Sequence, residues 1–107
     1  MSMPYYSPVE ATKLLRHCLN DGQVIPSRHF REELKNEDLE LLDAYQVLKQ
    51  GRIYDAPEPD IKTGEWKYRI EGNETGGKWL AIVFTLKTED SALLITVFSV
   101  KIQGKIK

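Results

Sequence analysis

The sequence predicts an α+β fold, with N-terminal helices packed on a twisted antiparallel sheet of about four strands. Two observations carry this prediction. Apolar residues recur at helical spacing as far as Leu48, and from Arg52 onward they alternate or run on at strand length. Glycine-rich, proline-rich and polar stretches separate the later segments, as turns between strands require.

The first helix is the most clearly written. Ser7 suits the N-cap, Pro8 the first helical position, and Glu10 completes a capping box. Ala11, Leu14, Leu15, Cys18 and Leu19 then form one apolar stripe, leaving Arg16 and His17 to face water. Asn20-Asp21-Gly22 stops the helix. Gln23 to Pro26 is short and extended. Ser27 caps a second, brief helix that carries His29 and Phe30. Asn36-Glu37-Asp38 breaks that helix and opens a third, with Leu41, Leu42, Tyr45 and Leu48 expected on its buried face. Gly51 stands where a left-handed C-terminal cap belongs.

The period then changes. Arg52 to Ala56 reads as a short strand, and Pro57 to Gly64 as a polar loop where proline opposes regular pairing. In Glu65 to Glu71 the residues Trp66, Tyr68 and Ile70 point one way and Lys67, Arg69 and Glu71 the other. Asn73 to Gly77 makes a hairpin loop. Trp79 to Leu86 and Leu93 to Val100 are apolar on both faces, which places them centrally in the sheet. Helices cover one face of such a sheet. The other face is left partly apolar and invites a protein partner, such as a homodimer mate.

The bulk properties exclude several classes. With 107 residues there is room for one domain, and a hydrophobic fraction of 41% supplies its core without disulfides. The single cysteine, Cys18, fits a reducing compartment and lies on an apolar stripe, where a small core residue is expected rather than a nucleophile. Two scattered histidines and one cysteine have no metal-ligand spacing, so neither a metal nor another cofactor is expected. A formal net charge of -1 counts against a dedicated nucleic-acid binder. The N-terminus lacks a basic and apolar leader, and no apolar run is long enough to span a bilayer. A cytoplasmic protein without membrane contact is expected.

Two places can carry chemistry. His29 lies near a helix start, flanked by Ser27, Arg28 and Arg31. Amides and arginines there suit an anion such as phosphate, and the imidazole can move protons near neutral pH. Lys67 and Arg69 share one face of a strand, and Lys78 begins the next strand across the hairpin. Such a trio can hold a phosphate and stabilise charge developing on it. Thr96, which interrupts an apolar strand, is a further candidate for lining a pocket. Trp66 and Trp79 read as core anchors rather than a base-stacking platform.

Several short motifs come together over residues 23–101: Ser27-x-His29-Phe30, Leu48 to Ile53 with its Gly51, Trp66-Lys67-Tyr68-Arg69-Ile70, Gly77-Lys78, and Leu94-Ile95-Thr96-Val97-Phe98. They resemble an uncharacterised bacterial domain family, which is similar in turn to the RelE- and BrnT-like toxins of toxin–antitoxin pairs. The resemblance implies a RelE-like arrangement over residues 23–101, with the additional capped helix over 7–21 outside it and a flexible tail expected over 102–107. It also implies a metal-independent ribonuclease. An RNA 2′-hydroxyl attacks the neighbouring phosphate, His29 serves as general base or acid, and Lys67 and Arg69 stabilise the charged phosphorane. Arg28, Arg31, Lys78 and Thr96 hold the substrate, and an antitoxin is the implied protein partner. A non-catalytic protein-binding module of the same fold is the alternative.

Overall fold

The computed structural model describes residues 3–100. Three helices and six strands follow in the order α1 (Pro8–Asp21), β1 (Gln23–Pro26), α2 (Arg28–Asn36), α3 (Leu41–Gln50), β2 (Arg52–Ile53), β3 (Glu58–Pro59), β4 (Trp66–Asn73), β5 (Trp79–Thr88) and β6 (Ser91–Ser99). The α+β class holds. The expected tail over 102–107 lies outside the described residues.

The strands form one sheet in the order β1-β6-β5-β4-β2, with β3 also paired to β4. The sheet is richer than expected. β1 joins it in parallel with β6, Gln23 opposite Ser91 and Pro26 opposite Leu94, so the sheet is mixed rather than purely antiparallel. β3 pairs with the outer edge of β4 despite Pro59. An edge position allows this, because a proline there need not donate to the ladder. The strand expected from Arg52 to Ala56 shortens to its first two residues.

The local signals of α1 act as read. Ser7 Oγ accepts from Glu10 N at 3.2 Å, and Glu10 Oε1 accepts from Ser7 N at 3.1 Å. Ala11, Leu15 and Cys18 are buried. Burial also pushes the Cys18 thiol pKa up, as suits a core residue. Arg16 departs from expectation. It is half-buried, and its Nη2 donates to Gly51 O at 2.9 Å across the junction with α3. In α3 the buried face is Ala44, Val47 and Leu48, whereas Leu42 is 77% exposed. The helix begins at Leu41, later than expected, because Asp38 takes a left-handed φ of 60° and delays it. Leu41 and Tyr45 pack at the core margin as expected, so Leu42 alone leaves the expected face.

Gly51 is not a left-handed cap. Its φ of -76° and ψ of -177° are extended. Glycine is needed there because α3 ends against β4. A Cβ on Gly51 would lie 2.6 Å from both Glu71 O and Val47 O, and one on the facing Gly72 would lie 3.0 Å from Gly51 Cα.

One core lies between the helices and one face of the sheet. It joins Leu15, Phe30, Leu34, Val47 and Leu48 to Tyr68, Ile70, Ile82, Phe84, Leu94 and Val97. Tyr68 and Phe84 stack at 5.4 Å between ring centroids. The Tyr68 hydroxyl accepts from Tyr6 N at 3.1 Å, tying the N-terminal segment to β4. Trp66 anchors the core margin and meets Tyr5 edge-on. The β4–β5 hairpin is closed by Glu74, whose carboxylate accepts from Lys78 N and Gly76 N. Those two amides hold its pKa below the ordinary glutamate value.

Candidate functional site

Strand alternation sends Lys67, Arg69 and Glu71 to the face away from the helices. The register then sets out that open face. Arg69 lies opposite Val83, and Val83 opposite Thr96. Lys67 lies opposite Thr85, Thr85 opposite Leu93, and Leu93 beside Ile25 on the parallel strand. Glu71 faces Ala81, and Ala81 faces Phe98. Val83, Leu93 and Phe98 are half-buried and Ile25 is exposed, and none of them belongs to the helix-packed core. This is the partly apolar second face that strands apolar on both sides require.

The cations on this face are held by carboxylates. Arg69 Nε lies 2.7 Å from Glu71 Oε2, an ion pair whose N–H is not aligned for a hydrogen bond. The Arg69 guanidinium lies over the Phe98 ring at 5.1 Å. Glu71 is only 1% exposed and also accepts from Trp79 Nε1 at 2.9 Å. Trp79 is thus an open-face residue that fixes a carboxylate, not a core anchor. Lys67 Nζ lies 4.0 Å from Asp60 Oδ2. The amides of Lys62 and Thr63, more than Lys67, keep the Asp60 pKa low. Between β4 and the loop before β3 lies a small cleft of about 200 Å³, lined by Asp55, Ala56, Glu58, Lys67, Arg69 and Val83. Its charges are balanced, two acids against two bases. A phosphate entering it would meet Asp55 and Glu58 as well as the cations.

His29 stands elsewhere. Ser27 ends the path of β1 at the outer edge of β6, where its N–H donates to Leu94 O and its hydroxyl donates to Ile95 O. The same hydroxyl accepts from Phe30 N at 3.1 Å and so caps α2. Ser27 therefore joins a helix start to a strand edge, at the β6 irregularity where Ile95 lacks a partner on β5. His29 follows on the helix surface with its side chain 61% exposed and its Nε2 4.0 Å from Glu33 Oε2. Strand β5 separates β6 from β4, so His29 and Lys67 are at least two strand spacings apart, roughly 10 Å. The structure does not bring them together.

The remaining candidates also disperse. Arg28 is 93% exposed and pairs with Glu32. Arg31 is exposed, and of the free amides at the start of α2 that of Phe30 is taken by the Ser27 hydroxyl. Lys78 does not complete a trio with Lys67 and Arg69. Asn73 pairs with Trp79 and Lys67 with Thr85, which puts Lys78 at the far end of the hairpin. There its Nζ donates to Glu37 O at 2.8 Å, closing the C-terminus of α2. Thr96 does share the open face, in line with Arg69 and Val83. Among the described residues no group of three or more potential metal ligands forms, and no helix is long and apolar enough to cross a membrane.

A family model described as a domain of unknown function, DUF4258, matches residues 26–99. The chain belongs to this family. The DUF4258 region starts at the last residue of β1 and ends at the last residue of β6, so it contains both His29 and the open face. α1 precedes it and supplies Ala11, Leu15 and Cys18 to the shared core. No curated protein and no solved structure matches the chain.

Proposed function

We propose that this DUF4258 chain is a RelE-like, toxin-related protein that acts by binding a protein partner on the open face of its sheet. The observation supporting it is that face itself. Val83, Leu93, Phe98 and Ile25 line it outside the core, while Lys67 and Arg69 already have carboxylate neighbours. Apolar surface with neutralised charge suits a protein surface better than a polyanion. An antitoxin chain or a second copy of this chain meets that chemistry. The RelE-like element rests on the sequence motifs and on the helices-then-sheet order.

Light scattering on the eluting protein, together with binding of an apolar dye, tests the reading. The wild type is expected either to elute as a dimer or to bind the dye as a monomer. Leu93→Glu is expected to abolish whichever is seen, because it puts a charge amid the patch. A wild-type monomer that binds no dye would remove the basis of the proposal.

The second reading is a metal-independent endoribonuclease. It is favoured by the exposure of His29, a titratable side chain open to solvent at a helix start. In that reading the open-face residues Lys67, Arg69 and Thr96 belong to substrate binding at a distance from the proton-transfer group. Induced expression in bacteria is expected to slow growth and fragment RNA even with chelator present, and His29→Ala to relieve both. Intact RNA under wild-type expression would eliminate it.

A further inference from the structure

A second and larger concavity lies on the helical side of the molecule, between the first turns of α1 and the α3–β2 junction. Its volume is about 640 Å³, the size of small-ligand sites. Lys13, Arg16 and Arg52 line it, and no Asp or Glu does. We infer that this cleft binds a small organic phosphate.

The charge distribution carries the inference. Elsewhere Arg28, Lys67, Arg69 and Lys87 each have a carboxylate within 4.0 Å, and the other described cations without one, Arg31, Lys35, Lys49, Lys62 and Lys78, do not line this cleft. Among the described residues Lys13, Arg16 and Arg52 have no such ion pair, although the chain as a whole carries a formal charge of -1. Lys13 and Arg16 are three residues apart on α1 and so share a side of the helix. Three cations gathered in one concavity repel each other and focus a positive potential that an anion relieves. Arg16 is held in place by the bond from Nη2 to Gly51 O, while its Nε has no acceptor. Tying α1 to the end of α3 accounts for Arg16 alone. It gives no reason for exposed Lys13 to line the same cleft, and Arg52, whose guanidinium lies 5.9 Å from the Tyr54 ring centre, finds no carboxylate there either.

The class of ligand follows from size and lining. Arginine pairs and lysine match the oxygens of a phosphate monoester, whose double charge suits several cations. A long nucleic acid is met by a strongly basic surface, and 16 acids against 15 bases count against one. Pro8 and the 66%-exposed Val9 form an apolar border, which fits an organic body attached to the phosphate.

The probe is adenosine monophosphate, titrated into the full chain at low salt with amide chemical shifts as readout, and inorganic phosphate as comparator. Shifts are expected at Lys13, Arg16 and Arg52, with phosphate binding there more weakly. Lys13→Ala with Arg52→Ala is expected to weaken the nucleotide roughly tenfold or more. Both side chains are exposed, so the unfolding temperature should not move, and Lys13→Ala alone should act in the same direction. Three results would each overturn the inference. They are no saturable shift at millimolar nucleotide, inorganic phosphate binding as tightly as the nucleotide, and undiminished affinity in the double variant.

Discussion

Gly51→Ala is expected to destabilise the domain by about 3 kcal/mol or more, measured by denaturant unfolding. The added methyl would meet two backbone oxygens at 2.6 Å, one from its own helix at Val47 and one from β4 at Glu71. Neither is the end of a flexible side chain, so helix and strand must part to admit it. Gly72 closes the other side of the same contact, with its own Cβ position 3.0 Å from Gly51 Cα. Gly77→Ala provides the contrast. Its φ of 98° is strained for any other residue, but nothing lies within 4 Å of the added carbon, so a cost of order 1–3 kcal/mol is expected from the backbone alone. A Gly51→Ala protein as stable as the wild type would mean that α3 and β4 do not meet as described.

Phe84→Ala is expected to cost about 3–5 kcal/mol in the same measurement. Phe84 is fully buried on the central strand β5, stacked on Tyr68 and opposite Leu94 on β6. Truncation removes the layer that joins three strands to the helices and leaves a void that stiff neighbours fill poorly. Leu42→Ala is the control. Its side chain is 77% exposed despite lying in an apolar-looking helix, and its loss should stay within about 0.5 kcal/mol. A cost below about 1 kcal/mol for Phe84→Ala would contradict the placement of the core.

Those two controls also mark where the sequence could be read and where it could not. The Ser7-Pro8-Glu10 cap was legible because its partners lie within one helical turn, and Trp66, Tyr68 and Ile70 declared the core face of β4 by simple alternation. Leu42 misled because it lies roughly 100° around the helix from Leu41, off the stripe that Leu41, Ala44, Tyr45, Val47 and Leu48 turn to the core. The parallel pairing of β1 with β6 left no local trace, since its partners are distant in sequence. The candidate site divided along the same line. That Lys67, Arg69 and Glu71 share a face was readable, and Glu71 two residues after Arg69 could have been recognised as its counter-ion. Whether His29 meets them depended on strand order, which spacing does not encode.

The Ser27 hydroxyl reaches Ile95 O across 68 residues of chain. During synthesis, β1 and α2 therefore emerge from the ribosome long before the strand that completes them exists. Until β6 follows, Phe30 and Leu34 have only a partial sheet to pack on, and β5 presents an apolar, unpaired edge. The nascent chain is most vulnerable to aggregation in that interval. The pairing of β1 with β6 joins the most distant segments of the sheet, and such non-local contacts, which lose loop entropy before they gain stability, form slowly.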